Sequence, residues 1–372
     1  MSQRENVNPR REQDHRKNSR RYQKRAAARR RRNTIFIMEI VLLLILAVVL
    51  FFVSKLSKIE KTKLDMDKIE VNEDISQESQ KIMKSYQTIA MFGLDNRSNG
   101  NLSQGRSDVI MLANINNDTK EVKLVSVYRD TYLDTGDGIF QKCNAAYAKG
   151  GPEQAISMLN VNLDLNITDY VTVDFNSIIE CVDLLGGVDM EITDDEASLM
   201  TGYIRELNEL TGNKAENLTQ GGTYTLNGVQ ACAYARIRYG GGDDYRRTER
   251  QRTVLTAMVK KAQQSDLTTV NKLINEVCGD IQTSFSNAEL LALASQVFQY
   301  SIGDTTGFPF TKTTKVLSKK TGDVVIPCDL SDNVKELHIF LYEDSAYTAS
   351  DTVKQNSEKI VSDTGFKSGD GH

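Results

Sequence analysis

The chain has 372 residues, a formal net charge of −4, 26% charged side chains and no tryptophan, which fits a globular protein and leaves the number of domains open. Its five cysteines lie far apart with no C-x-x-C, which argues against a zinc site or a complete disulfide framework, although an oxidising compartment would permit a Cys278–Cys328 bridge. The three histidines, His15, His338 and His372, offer neither an H-E-x-x-H metal site nor a Ser/His/Asp triad to the region beyond residue 54.

Residues 1–33 hold 13 Lys and Arg against 3 acids, a local charge of +10 that leaves −14 for the remainder. Residues 34–53, TIFIMEIVLLLILAVVLFFV, follow with a single charge at Glu39; that length crosses a hydrocarbon core as a helix, and no small-residue cleavage site follows it. The basic segment predicts a cytoplasmic N-terminus, an uncleaved anchor and an exterior remainder. The basic tail has no nucleic-acid-binding motif, so its expected partner is anionic membrane lipid, not nucleic acid.

Residues 54–85 are polar and free of Gly and Pro, and read as a helical or partly ordered stalk that holds the domain off the membrane. Beyond them YQTIAMFGL, DVIMLANI, EVKLVSVY, DYVTVDF and VDMEI read as strands. PEQAISMLNVNL, NSIIECVDLL, IRELNEL, RTERQRTVLTAMVKKAQQ and NAELLALASQVFQY carry helical periodicity. Interleaved strands and helices predict an α/β domain of the α-β-α type over 86–345, a mixed central sheet covered by helices and preceded by the single transmembrane helix. Periodicity weakens from Asp304, and 346–372 reads as a polar tail that frays. The N-x-[ST] sequences, five in all, are too common a pattern to assign a role.

Four segments repeat one chemical theme. GLDNR holds Asp95 and Arg97, GRSD holds Arg106 and Asp108, YRD holds Arg129 and Asp130, and ARIRYGGGDDYRRTERQ holds Arg236, Arg238, Asp244, Arg247, Arg250 and Gln251. In extended chain residues two apart share a face, which groups Asp95 with Arg97, Arg106 with Asp108 and Arg236 with Arg238; on a helix Arg247, Arg250 and Gln251 align. Asp95 and Arg129 come where apolar strands end, the edge at which open α/β sheets bind ligands. Guanidinium groups grip phosphate in two-pronged fashion, so such a cluster points to a pyrophosphate, and carboxylates beside it to a proton or a hard cation such as Mg²⁺. Taken singly each pair is also explained as an ordinary ion pair. No G-x-x-x-x-G-K-[ST] is present, so Gly240–Gly242 is read as a turn between a strand with Arg236 and Arg238 and the helix near Arg247.

Across residues 86–263 the order GLDNR, GRSD, RD, KCNAAYAKGG, DLLGGVDMEI, LNGVQACAYARIR, DDYRRTERQR resembles the LytR-CpsA-Psr family of bacterial cell-wall phosphotransferases. The resemblance implies transfer of a glycopolymer, teichoic-acid-like or capsular, from an undecaprenyl pyrophosphate carrier to a peptidoglycan hydroxyl. It implies that Arg106, Arg129, Arg236, Arg238, Arg247 and Gln251 hold the pyrophosphate, with Lys142 in support. Asp95 and Asp108 would hold Mg²⁺ (or Mn²⁺), and Asp244 would tune an arginine or accept a proton. Tyr128 stands where the family usually has proline, and Arg246 where glycine is common. The chemistry of the reaction leaves Asp108 or Asp130 as the base that deprotonates the acceptor. A lipid donor needs an apolar slot, expected from KLVSVY, DYVTVDF and SIIECVDLL. Competing readings are a polyprenyl-pyrophosphate hydrolase and a non-catalytic envelope regulator or scaffold.

Overall fold

The computed structural model describes residues 64–94, 105–238, 244–266, 281–286 and 296–371, with residues 60–61 and 102 and a few positions between 269 and 293. The expected membrane span at 34–53, together with Asp95, Arg97, Gly240–Gly242 and Cys278, lies outside the described residues. Among the described residues no helix is long and apolar enough to cross a membrane.

The framework is a mixed sheet of seven strands in the order β1-β10-β7-β2-β3-β4-β11. β2 (Tyr86–Leu94), β3 (Ser107–Asn116) and β4 (Glu121–Val127) form an antiparallel meander at its centre. β7 (Asp169–Asp174) lies parallel to β2 on one side, and β11 (Ser301–Phe308) lies parallel to β4 on the other. β10 (Ile281–Thr283) and β1 (Glu60–Lys61) complete the far edge.

The period-two alternation of the strands divides the sheet into two faces. Ala90, Phe92, Leu94, Ile110, Leu112, Val125 and Val127 share a buried cluster with residues of α2 (Ala145–Leu163), α7 (Leu330–Tyr342) and α8 (Asp351–Thr364). Met91 and Met111 face the other way, toward α3 (Phe175–Leu184), α5 (Gly228–Arg236) and α6 (Asp244–Gln264). A further cluster packs α3, α4 (Asp194–Thr211), α5 and α6 against the antiparallel pair of β8 (Val188–Ile192) and β9 (Gly222–Leu226).

Local chemistry fixes several boundaries. Thr193 and Glu196 make a reciprocal capping box that starts α4, and Asn227 and Gln230 do the same for α5. α4 ends at Gly212 in the left-handed region, φ 74°. α2 breaks at Gly150 and Gly151, which have non-helical dihedrals, and resumes at Pro152, where the ring's fixed φ suits a first turn.

Three expectations are corrected. The expected helical or partly ordered stalk of 54–85 does contain a helix, α1 (Gln77–Met83), but its later part belongs to the domain: Ile69, Ile75 and Met83 are buried in the main core. The expected tail of 346–372 is a capped helix, α8, whose Val353 and Ile360 are fully buried. Such side chains contribute roughly 1.5–3 kcal/mol each, so the segment is held rather than frayed. The segment with Arg236 and Arg238 is not a strand: Arg236 is the last residue of α5, and Ile237 is its C-cap.

One polar knot ties the N-terminal and C-terminal segments of the domain. Asp164 is fully buried and accepts hydrogen bonds from Asn72 Nδ2 at 2.5 Å, Tyr347 OH at 2.5 Å and the Ser350 backbone at 2.8 Å. A buried carboxylate is tolerated only when paired in this way.

Candidate active site

The arginine after β4 is pinned by its own backbone. Arg129 O accepts from Asn144 N at 3.1 Å, Asp130 O accepts from Val325 N at 2.9 Å, and Thr131 N donates to Tyr128 O at 2.9 Å. Beneath this turn the fully buried Cys143 thiol lies 3.3 Å from both the Tyr128 and Arg129 carbonyls, a contact that sequence spacing did not signal.

The Arg129 side chain is surrounded by three carboxylates. Nη1 donates to Asp108 Oδ1 at 2.8 Å, while Nε lies 3.7 Å from Asp130 Oδ2 and 3.7 Å from Asp244 Oδ2. Lys142, the last residue of β6 (Phe140–Lys142), reaches Asp130 Oδ1 at 3.0 Å. Arg247 Nη2 is 2.9 Å from Asp244 Oδ1 and donates to the Asp108 carbonyl at 3.3 Å. Arg129, Asp108, Asp130, Asp244, Lys142 and Arg247 are thus brought together from four separated segments.

The titration behaviour follows from these contacts. Burial pulls the Arg129 pKa down, but Asp108, Asp244 and Asp130 outweigh it, so the guanidinium holds its proton more tightly than usual. Burial raises the Asp244 carboxyl above its ordinary value of 3.8, with Arg129 and Arg238 opposing and Asp130 and Asp108 reinforcing. Arg129 Nε, Arg247 Nε and Asp244 Oδ2 are buried without hydrogen-bond partners among the described residues. Arg129 Nε faces the Asp130 and Asp244 carboxylates at 3.7 Å, beyond hydrogen-bond reach, so the charges are paired without every donor being satisfied, and two guanidinium groups so close together form the kind of group that grips phosphate oxygens.

Other predicted residues are placed differently. Arg236 turns to Glu206 Oε1 at 3.1 Å and lies over the rings of Phe175 and Tyr203, away from Arg129. Arg250 is buried against Glu196, Nε to Oε1 3.1 Å, rather than beside Arg247. Arg238 and Arg106 are exposed, and Arg238 is near enough to Asp244 to affect its charge. The carboxylates supply only oxygen donors, which suits Mg²⁺ or Mn²⁺. Among the described residues no three of them gather into a metal-binding group, since Arg129 occupies the space between them.

Beside the charge cluster the sheet and α6 enclose an apolar cavity of about 120 Å³. Gly93, Leu94 and Val109 line it at the strand ends, Phe175 and Ala235 at the side, and Gln251, Val254 and Met258 from α6. Residues of DYVTVDF and SIIECVDLL take part as expected; those of KLVSVY do not, because Leu124, Val125 and Val127 are filled core. Gln251 Oε1 is buried and unpartnered between the cavity and the cluster.

Tyr128 supports the site from behind. It stacks edge-on to Tyr245 of α6 at 4.6 Å, and Lys312 Nζ lies 5.5 Å from the Tyr128 ring and 4.8 Å from the Tyr245 ring. Burial pushes the Tyr245 hydroxyl up to about 12 and lowers the Lys312 pKa. Lys312 lies some 180 residues from Tyr128 in a weakly periodic stretch, so only the fold reveals it.

A model of the LytR_cpsA_psr family matches residues 46–315. A relative in Enterococcus faecalis, named polyisoprenyl-teichoic acid–peptidoglycan teichoic acid transferase TagU, is 30% identical over 56% of this chain and 64% of its own length. Biofilm regulatory protein A of Streptococcus mutans is 31% identical over 53% of this chain and 49% of its own. The chain therefore spans less than two thirds of these curated relatives. A structure of Bacillus subtilis YwtF (TagT) with bound octaprenyl pyrophosphate lipid aligns over 70% of this chain and 92% of its own, with 22% identity and a TM-score of 0.51, and shares the fold.

Proposed function

The chain belongs to the LytR_cpsA_psr family, and on that premise we propose that it is a membrane-anchored phosphotransferase, moving a teichoic-acid-like or capsular glycopolymer from an undecaprenyl pyrophosphate carrier to a peptidoglycan hydroxyl. The observation that carries this reading is the double role of α6: Arg247 enters the charge cluster, while Gln251, Val254 and Met258 line the adjoining apolar cavity. A pyrophosphate esterified to a prenyl chain needs that combination of a cationic head site beside an apolar slot. The transferase name of the Enterococcus relative and the octaprenyl pyrophosphate held by YwtF support the assignment.

In this reading Arg129 and Arg247 hold the phosphates, with Arg106 and Arg238 at the rim. The acceptor hydroxyl attacks the phosphorus that bears the glycan, the bond to the bridging oxygen breaks, and polyprenyl phosphate leaves with its charge held by the guanidinium groups. Asp244 takes the hydroxyl proton: Arg247 holds its Oδ1 at 2.9 Å, but its Oδ2 lies 3.7 Å from Arg129 Nε without a hydrogen bond and burial raises its pKa, whereas Lys142 holds Asp130 at 3.0 Å and Arg129 holds Asp108 at 2.8 Å. Mg²⁺ or Mn²⁺ is assigned to Asp108 with Asp95, where it would neutralise charge on the non-bridging phosphate oxygens. The apolar run at 34–53 and the basic residues before it support a single-pass anchor with the domain outside the cell, in a Gram-positive-type envelope.

The test uses purified full-length protein in detergent with a prenyl-pyrophosphate-linked glycan, a peptidoglycan fragment and Mg²⁺, products being followed by mass spectrometry. A phosphodiester-linked glycan on the acceptor, abolished by Arg129→Ala, is the expected result. Free glycan phosphate formed regardless of acceptor would replace the reading with a hydrolase, and a bound but unaltered donor would replace it with a scaffold.

A further inference from the structure

The turn that carries Arg129 and the first turn of α6, which carries Asp244, meet through their neighbours in sequence. Tyr128 precedes Arg129 and Tyr245 follows Asp244, and the two rings pack edge to face with centroids 4.6 Å apart. Consecutive Cα atoms are about 3.8 Å apart, so whatever fixes the rings also fixes the guanidinium and the carboxylate one residue away. The separation at stake is the 3.7 Å between Arg129 Nε and Asp244 Oδ2.

Each ring is held from outside the charge cluster. Tyr128 N donates to Phe308 O at 3.0 Å, and the ring reaches across β11 at a glycine: a Cβ on Gly307 would stand 2.1 Å from the Tyr128 hydroxyl. Lys312, the first residue of β12 (Lys312–Ser318), serves both rings, its Nζ lying 5.5 Å from the Tyr128 centroid and 4.8 Å from that of Tyr245. An ammonium is attracted to an aromatic face within roughly 6 Å. The same Nζ donates to Phe310 O at 3.2 Å and makes no ion pair among the described residues. Burial lowers its pKa, and no carboxylate opposes that shift, so one carbonyl and two rings are what meet its charge. The base of the lysine is fixed as well. Thr311 N donates to Asn333 Oδ1 at 2.9 Å, and Thr311 O accepts from Asn333 Nδ2 at 3.0 Å, with Asn333 buried in α7.

A side chain that only filled this gap would need no charge, since methionine has a similar reach without the cost of desolvating an ammonium. Arg129 has its backbone pinned independently by Asn144 and Arg247 keeps its own hold on the Asp108 carbonyl at 3.3 Å, which leaves Asp244 as the group whose place depends most on the rings.

We propose that Lys312, Tyr245 and Tyr128 are positioning residues that form a cation–aromatic clamp, setting the distance between Asp244 and the Arg129 guanidinium. The proposal rests on the phosphotransferase reading above, in which Asp244 takes the acceptor proton. It adds three side chains that act on the reaction only through their neighbours.

The full-length protein in detergent tests it in the transfer assay, with Tm measured on every variant. Lys312→Met should lower kcat about tenfold and leave KM for the donor within about twofold, because a displaced base is missed only in the transition state. Lys312→Arg, which restores a cation over the rings, and Tyr245→Phe, which keeps the ring, should both retain kcat near the wild-type value. Should Lys312→Met fail to fold, Lys312→Gln decides by the same criteria. A wild-type kcat with a lowered Tm would make the contact structural and overturn the proposal. So would failure of Lys312→Arg to recover kcat, or a raised donor KM at constant kcat, which would place Lys312 on the donor itself. If the wild type turns over no donor, the phosphotransferase reading fails. The clamp is then judged by denaturant titration of Lys312→Met, Tyr245→Leu and the double variant: non-additive losses sustain it and additive losses sink it.

Discussion

Ala235→Leu should separate the stability of this domain from its use of a lipid donor. Ala235 lies on α5 and borders the apolar cavity of about 120 Å³. At roughly 24 cal/mol per Å³, an unfilled volume of that size costs about 3 kcal/mol. Leucine adds three carbon atoms without a helix-propensity penalty of any size, so filling most of the void should recover about 2 kcal/mol and raise Tm by a few degrees. The same volume is the one assigned to the prenyl chain, so a similar free energy is lost from donor binding, about a thirtyfold rise in KM for a long-chain donor. A donor with a truncated prenyl chain should be unaffected. Thermal melts together with the mass-spectrometric transfer assay give both readings. A raised Tm with an unchanged long-chain KM would show that the cavity is not the lipid slot, and a lowered Tm would refute the volume argument itself.

Arg129→Lys keeps a positive charge but loses the fork that reaches Asp108 at 2.8 Å and lies between Asp130 and Asp244; we expect kcat/KM to fall about 100-fold in single-turnover transfer. Asp244→Asn should abolish most activity, roughly 10²–10⁴-fold, yet stabilise the fold at neutral pH. The sign follows from its raised folded pKa: the stability contributed by Asp244 is complete below its ordinary 3.8 and is lost as pH rises through the folded value. The Tm advantage of the variant should therefore vanish toward about pH 4, and in the wild type transfer should fail as acidity protonates Asp244. Tyr128→Pro removes the N–H that donates to Phe308 O at 3.0 Å and the ring packed on Tyr245; a loss of about 3 kcal/mol in denaturant titration is expected, while Tyr128→Phe should be close to neutral. Gly228→Ala places a Cβ 2.2 Å from the Ile179 carbonyl oxygen, which is backbone and cannot rotate aside, so the soluble yield and Tm of that variant should drop sharply.

The central strands were legible because Val, Ile and Phe alternate in β2, β3, β4, β7 and β8, and α3 and α6 because their apolar stripes recur at helical spacing. The C-terminal part was not, for an identifiable reason. The buried side of α8 carries Asn356, Ser357 and Thr364 beside Val353 and Ile360, so its inward face is largely polar and its periodicity faint. β12 (Lys312–Ser318) is mostly exposed and polar, and its pairing with β13 (Gly322–Pro327) leaves little apolar pattern to read. In the site, the joining of Arg129 with Asp108, Asp244 and Arg247 was legible from charges placed at strand ends and at the start of the helix after the glycine turn. The diversion of Arg236 to Glu206 and of Arg250 to Glu196 was not, because a guanidinium's partner is chosen by tertiary packing of α4 against α5 and α6.

α6 also behaves as a ruler. Arg247 and Met258 are eleven residues apart on one uninterrupted helix, which fixes the head contact and the deep end of the apolar slot at a separation of about 16 Å. On the proposed function, a ligand gripped at both points cannot slide: its phosphates would be registered against Arg129 by how far its chain descends. Selection of the acceptor and of the polymer can then vary in the surrounding loops without disturbing the alignment of the bond that breaks.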